Sequence, residues 1–320
     1  MTKDSINKGK GRYAFLLFDA TFKVVVCTPE NEKLLIEILE LLLPGKHIGS
    51  IDFMNKEMHG LVIEEKNANF DLLCKDKDTG EEFLVEVQNE PHDSYRDRML
   101  YYSTFAIREQ MTAKIAKMRE DFENQLKHGG KARRSDKMDY SLKPVYVVSM
   151  VDFTLMHDND DALEQEYISR YEIRNGRNCE LFTHSLNFVF LEMGRLKLGP
   201  DDKDKCRNLL ERFIFSMKNM HMLSERPEGF DDPLLVDLYT ATELASMTVI
   251  RRQNYDKIMT TEIDRMCQLS YAEKKGRAEG LEKGIAKGIA KTAKAMKADG
   301  MAPELIAKYT GLSAEEIAKL

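Results

Sequence analysis

The sequence has no long apolar segment and no pairing pattern among its cysteines. No stretch approaches the roughly 18 uninterrupted apolar residues of a membrane-spanning helix, so no such helix is predicted. The start of the chain lacks an apolar segment of signal-peptide type, and a cytoplasmic protein is expected. The cysteines are odd in number and widely spaced, which argues against a zinc site or redox pair and is typical of free thiols in a reducing compartment: Cys27, Cys74, Cys179, Cys206 and Cys267.

The chain also lacks a large excess of charge of either sign. Its formal net charge is −6, so any contact with nucleic acid must use a local basic patch rather than the whole surface. Hydrophobic residues make up 42% and charged residues 32%, which excludes a disordered or fibrous chain and indicates a globular protein. The length of 320 residues favours two domains, or one domain with an extension.

Apolar periodicity indicates an α/β core in the first half of the chain. A helix is predicted over residues 30–43, where apolar residues recur at helical spacing, and a long helix over residues 94–127. The segment 19–27 could be a helix end or a short strand. Strands are predicted at 48–54, 61–65, 70–74, 82–88 and 144–151, with the turn of a hairpin at Asp78-Thr79-Gly80.

Beyond this core, the sequence predicts a hairpin and then mainly helices. Two alternating segments, 163–174 and 179–193, are joined through Asn175-Gly176-Arg177. We therefore predict an α/β domain over residues 1–195, a helical region over 196–270, and a C-terminal region over 271–320 containing a charged, glycine-punctuated helix and a short helical module.

Two carboxylates on the predicted hairpin are the strongest candidates for chemistry. Period-two alternation places Glu86 and Gln88 on one face of their strand and Val87 on the other. The hairpin can bring Asp71 close to Glu86. Two converging carboxylates repel each other unless a cation lies between them, and oxygen ligands suit Mg²⁺ or Mn²⁺. The alternative is that both are strand-edge charges facing water.

Other candidates lie on helices. Arg98 and Tyr102 are four residues apart, hence on one helical face, although Tyr102 could equally be a core residue. Asp19 is either an acid near a metal or a capping or surface carboxylate. Lys23 lies on the same segment and is either a functional cation or a solvated charge.

The order of these residues resembles the PD-(D/E)xK nuclease superfamily and, more narrowly, the Rpn-like recombination-promoting nuclease and transposase family. Proteins of that family carry an Asp, a following Glu-x-Gln, and then an Arg and a Tyr on a helix. The matching residues here are Asp71, Glu86, Gln88, Arg98 and Tyr102. An N-terminal Asp-x-x-Phe-Lys segment is matched by Asp19, Phe22 and Lys23, and Lys66 matches a lysine that often precedes the Asp strand.

The resemblance implies a restriction-endonuclease-like core, a mixed central sheet flanked by helices, followed by a helical C-terminal region. It also implies metal-dependent cleavage of DNA. Asp71 and Glu86 would be ligands of Mg²⁺ or Mn²⁺, with the Val87 carbonyl as a further ligand. Gln88 stands where the superfamily pattern has lysine; an amide can orient water but supplies no positive charge.

Lys23 or Lys66 could supply that missing charge, while Arg98, Tyr102 and Asp19 would serve the substrate. The alternative function is a DNA- or protein-binding module that retains the nuclease fold with little or no catalysis.

The C-terminal region suggests contacts between proteins. Glycines recur every four residues at Gly276, Gly280, Gly284 and Gly288, on one slowly drifting helical face. Such a face could allow self-association into a homo-oligomer, or the segment could be a frayed linker. Two short helices are predicted after Pro303, with Gly311 between them and a capping box at Ser313; they favour a protein contact over base reading, because the second helix begins with glutamates.

Overall fold

A computed structural model describes residues 11–54, 72–127, 139–155 and 166–320, and its centre is a mixed sheet. The strands are β1 (Ile51–Phe53), β2 (Leu72–Asp76), β3 (Glu82–Gln88), β4 (Val145–Val151), β5 (Ile168–Glu172) and β6 (Leu186–Glu192). Their order across the sheet is β1-β2-β3-β4-β6-β5. Strands β3, β4 and β6 run parallel, whereas β1, β2 and β5 pair antiparallel with their neighbours.

Helices flank this sheet and form the C-terminal part of the chain. None of the described helices is long and apolar enough to cross a membrane. The α-helices are α1 (Asp19–Val25), α2 (Glu32–Leu42), α3 (Tyr95–Lys127), α4 (Leu209–Asn219), α5 (Pro233–Thr242), α6 (Val249–Ala298), α7 (Pro303–Thr310) and α8 (Ala314–Lys319). Short 3₁₀ turns occur at Pro29–Asn31, Met193–Arg195, Pro200–Lys205 and Met220–Met222. Mixed sheet, flanking helices and C-terminal helices confirm the predicted fold class.

The hairpin of β2 and β3 forms where the sequence predicts it. Gly80 adopts a φ of +73°, a left-handed conformation that glycine enters without steric cost. The Asp76 carboxylate accepts hydrogen bonds from the Asp78 N–H and the Thr79 hydroxyl, which holds the turn. The two strands pair in the register Leu72↔Val85 and Lys75↔Glu82. The strand predicted at 61–65 lies outside the described residues.

The first two helices pack through the residues that periodicity selects. The segment with two possible interpretations is helical, and α1 buries Phe22 and Val25 completely. The α2 helix buries every apolar residue of the predicted stripe: Leu34, Leu35, Ile38, Leu39 and Leu42. It begins slightly later than predicted because residues 29–31 form a 3₁₀ turn first.

The α3 helix connects the parallel strands β3 and β4 and covers one face of the sheet. Its Met99 and Phe105 belong to a buried cluster with Leu84 of β3 and Val147 of β4. Burying side chains of this size contributes about 1.5–3 kcal/mol each. This packing fixes the start of α3 above the sheet, where the candidate site lies.

The chain divides into two compact units, Met1–Ile258 and Met259–Leu320. Within the first unit, two hydrogen bonds connect the N-terminal segment to the helical region. The Ala14 N–H donates to the Thr242 carbonyl, and the Phe15 N–H donates to the Tyr255 hydroxyl.

The second unit has a small core of its own at the end of α6. This core contains Ala293 of α6, Ile306 of α7 and Ile317 of α8. Gly311 ends α7 with a φ of +73°, and the Ser313 hydroxyl caps α8 in the predicted capping box. The predicted short helical module is therefore present.

Candidate functional site

Glu86 and Arg98 form a largely buried ion pair at the carboxyl end of β3. The Arg98 Nη2 atom donates hydrogen bonds to Glu86 Oε1 at 3.0 Å and to Gln88 Oε1 at 2.7 Å. The side chain of Glu86 is 6% exposed and that of Arg98 is 25% exposed. Because one nitrogen contacts both acceptors, Glu86 and Gln88 lie on one face of the strand, as alternation predicts.

The position of Arg98 follows from how α3 begins over β4. Glu86 pairs with Ser149 in the parallel ladder between β3 and β4. The Ser149 hydroxyl is hydrogen-bonded to the hydroxyl of Tyr95, the first residue of α3. Tyr95 is almost fully buried, so this contact anchors the first turn of the helix above the end of the strand. Arg98 follows one turn later and reaches Glu86.

Two tyrosine rings hold the Arg98 guanidinium from its own helix. Its Cζ atom lies 4.9 Å from the ring centroid of Tyr95 and 5.8 Å from that of Tyr102. Cations over aromatic faces at such distances are stabilised by the ring quadrupole. Arg98 and Tyr102 therefore share one helical face, as their spacing predicts, and Tyr102 is also packed against the core cluster under α3.

The backbone N–H and carbonyl groups of Val87 point away from β4. The Glu82 N–H donates to the Pro144 carbonyl, and the Gln88 carbonyl accepts from the Asp152 N–H, so both ends of β3 direct these groups towards β4. In a parallel ladder, alternate residues direct their backbone groups to opposite neighbours. The Val87 carbonyl therefore points to the side on which β2 lies.

The other predicted site residues are either outside the described residues or on α1. Asp71 and Lys66 lie outside them, so their approach to Glu86 stays a prediction. Asp19 and Lys23 are exposed on α1, a helix that packs against β3. Asp19 Oδ1 accepts a hydrogen bond from the Ala20 N–H at 2.6 Å, within the first turn of its own helix.

The donors at the end of β3 are oxygen atoms, which suit a hard divalent ion. They are the Glu86 carboxylate, the Gln88 amide oxygen and the Val87 carbonyl. Cys74 of β2 offers no soft ligand there, because it pairs with Phe83 and therefore lies on the face of the sheet opposite Glu86. Among the described residues, no three His, Cys, Asp or Glu side chains form a metal-binding cluster. The donor set thus fits Mg²⁺ or Mn²⁺ but needs a further ligand.

Sequence reasoning missed two residues that position this site, Tyr95 and Ser149. For Tyr95 a signal was present, since Tyr95, Arg98 and Tyr102 are spaced three and four apart and share a helical face. Ser149 gave no such signal. Its place opposite Glu86 depends on the parallel pairing of β3 with β4, which local sequence does not encode.

Comparison with known protein families gives a match over most of the chain. The model of the PD-(D/E)XK nuclease family transposases matches residues 16–272, most of the chain. Neither a curated protein nor a solved structure matches significantly. The matched range includes the sheet, α3 and the pair of Glu86 with Arg98. The chain therefore belongs to the PD-(D/E)XK nuclease family transposases.

Proposed function

We propose that this protein is a metal-dependent DNA endonuclease that hydrolyses phosphodiester bonds, of the recombination-promoting nuclease and transposase type. The observation that carries the proposal is the buried Glu86 carboxylate at the end of a central strand, beside Gln88 and Arg98. A buried carboxylate requires a cation, and membership of a nuclease family supports a catalytic reason for placing it there.

Glu86, Asp71 and the Val87 carbonyl would hold the metal ion. Asp71 directly precedes β2, whose Leu72 pairs with Val85. Continuing that antiparallel register by one residue would put Asp71 opposite Glu86, in a non-hydrogen-bonded pair, where side chains approach most closely. Both side chains would then lie on the face towards α3. When bound, Mg²⁺ or Mn²⁺ supplies Lewis-acid polarisation of the phosphate and acidifies a water molecule.

The remaining residues position the reactants. The Gln88 amide orients the attacking water by hydrogen bonds, since it can both donate and accept. The Arg98 guanidinium, fixed between two tyrosines, donates further hydrogen bonds to oxygens of the scissile phosphate and offsets their negative charge. Tyr102 keeps the guanidinium in place. Asp19 would contribute from α1 near the same strand.

In the second part of this proposal, Lys23 or Lys66 supplies the positive charge that the Gln88 amide lacks. Lys23 is carried by α1, which packs against β3, and is exposed. Lys66 precedes Asp71 in the chain. Either ammonium could stabilise charge on the phosphate from an element other than β3.

A second candidate function is a DNA- or protein-binding module with little or no catalysis. Two observations favour it. Position 88 carries an amide instead of a cationic side chain, and Arg98 already neutralises the Glu86 carboxylate through its 3.0 Å ion pair. A module of this kind would bind DNA without cleaving it, and changing Glu86 would leave its affinity unaltered.

Cleavage of supercoiled plasmid distinguishes the two functions. Wild-type protein is incubated with Mg²⁺ or Mn²⁺, and a parallel reaction contains EDTA. The test variant is Glu86→Gln. The matched control variant is Glu120→Gln, which removes an exposed carboxylate from α3. The nuclease predicts nicking or linearisation by wild type and Glu120→Gln, which is lost in EDTA and in Glu86→Gln. The binding module predicts a different result: folded wild type does not cleave the plasmid, and it binds DNA with the same affinity as Glu86→Gln.

A further inference from the structure

A row of aromatic rings crosses the sheet beneath the first turn of α3. The Tyr95 ring centroid lies 6.3 Å from that of Phe190 on β6, which in turn lies 5.8 Å from that of Tyr171 on β5. Both contacts are edge-to-face, the arrangement that aromatic quadrupoles favour. All three rings belong to the core cluster under α3 or pack against it. The row is therefore a rigid platform on the same face as Glu86.

Two guanidinium groups lie on this platform, one on each side. Arg98 lies over Tyr95 and reaches the β3 side, as described above. Arg96 lies over Tyr171, with its Cζ atom 5.6 Å from the ring centroid. The Arg96 Nη2 atom also donates a long 3.5 Å hydrogen bond to the Tyr171 hydroxyl. Arg96 is exposed, so its charge is presented to solvent while its orientation is fixed by the ring.

The two guanidinium groups reach strands that are well separated in the sheet. Arg98 contacts Gln88 on β3 and Arg96 contacts Tyr171 on β5, and these strands are three positions apart. At a spacing of about 4.8 Å per strand, the two strands lie about 14 Å from each other. A DNA strand advances about 3.4 Å per nucleotide along the helix axis, so a backbone that passes over both strands spans several nucleotides.

We propose that Arg96, seated on Tyr171, binds a second phosphate of the DNA backbone, several nucleotides from the bond at Glu86. This proposal rests on the proposed nuclease function and extends it by fixing the direction in which the DNA strand crosses the site: from β3 over the start of α3 towards β5. The contact is to a phosphate and therefore carries no base preference. Arg96 is a substrate-positioning residue rather than a catalytic one.

Salt-dependent DNA binding in EDTA tests this contact without any cleavage. The probe is a fluorescein-labelled DNA duplex, in two unrelated sequences, followed by fluorescence anisotropy. Arg96→Ala is compared with Arg177→Ala, which removes the same charge from the exposed turn of the same β5–β6 hairpin. Arg96→Lys retains the charge, and Tyr171→Phe retains the ring while removing the long hydrogen bond.

Loss of one phosphate contact predicts that Arg96→Ala lowers the slope of log affinity against log salt by about 0.9 for both sequences. Affinity at low salt should fall on the order of tenfold. Arg177→Ala and Tyr171→Phe should bind like wild type, and Arg96→Lys should keep the slope.

The contact is overturned if Arg96→Ala and Arg177→Ala have equal affinities and slopes, even when the plasmid assay shows cleavage that depends on Glu86. Failure of the underlying nuclease function gives a different pattern: wild type then leaves the plasmid intact in Mg²⁺ or Mn²⁺, whatever the salt slope of Arg96→Ala. If wild type does not bind DNA at all, both proposals fail together. Melting temperatures of all variants confirm that each is folded.

Discussion

The Arg98 guanidinium lies 3.0 Å from a Glu86 carboxylate that is almost completely removed from water. A charge in such a position is stable only with a partner, because its desolvation is costly. The pair therefore links stability to the candidate site: Glu86 supplies a negative charge at the end of β3, and the Arg98 guanidinium compensates it.

Arg98→Ala should lower the free energy of unfolding by about 3 kcal/mol, since it removes a charged partner from the buried Glu86 carboxylate. Urea denaturation at neutral pH measures this loss. The double variant Glu86→Gln/Arg98→Ala should recover a large part of it, because the buried negative charge is then removed together with its cationic partner. Additive losses in the double variant would show that the two side chains are not coupled.

Lys23→Met and Lys66→Met test the source of positive charge at Gln88. If a lysine stabilises charge on the phosphate, its substitution should reduce the rate of plasmid cleavage at least tenfold while DNA binding changes little. Full activity in both variants would exclude the lysines. Arg98, which contacts Gln88 Oε1 at 2.7 Å, would then supply positive charge at that position.

His221 should make the protein sensitive to acid. The side chain is 4% exposed, and neither ring nitrogen has a hydrogen-bond partner among the described residues. Burial lowers the pKa of the folded imidazole to about 4 from 6.5. The unfolded chain thus takes up a proton at a higher pH than the folded one. The stability due to neutral His221 is present above pH 6.5 and is lost as the pH falls towards 4.

Urea denaturation at pH 7, 6 and 5 measures this effect, and the loss due to His221 should reach about 3 kcal/mol when the pH is as low as the folded pKa. His221→Leu removes the titrating group and should flatten this part of the profile, whatever its effect at pH 7. Equal pH dependence in wild type and His221→Leu would contradict the assignment.

Self-association through the C-terminal region can be tested on exposed residues of α6. The glycines at 276, 280, 284 and 288 have open space around their Cβ positions. Leu281 and Ile285, which follow two of them, are 65% and 54% exposed. If this face joins two copies, Leu281→Glu/Ile285→Glu should reduce the mass measured by sedimentation to that of a monomer. A mass unchanged from wild type would remove this interface.

Local patterns predicted the elements of the site better than their mutual arrangement. The β2–β3 hairpin could be predicted because Gly80 supplies the conformation of the turn and alternation sets the strand face. The apolar face of α2 likewise followed from its spacing. Both depend on residues that are close together in the chain.

The arrangement around Glu86 depends on distant residues and was predicted only in part. The sequence indicates that Glu86 and Gln88 share a face and that Arg98 lies on a helix. It does not indicate that Arg98 reaches them, because this depends on Tyr95 meeting Ser149, 54 positions later in the chain. The contact of Arg96 with Tyr171 likewise joins residues that are 75 positions apart in the chain.

Diffraction from crystals soaked in Mn²⁺ shows whether Glu86 holds a metal ion, because manganese is located by its anomalous signal independently of activity. We expect a manganese ion at about 2.1 Å from a Glu86 carboxylate oxygen, with Asp71 and the Val87 carbonyl as further ligands. No ion within coordination distance of Glu86 or Asp71, in crystals that contain the intact ion pair of Glu86 with Arg98, would rule out this metal site.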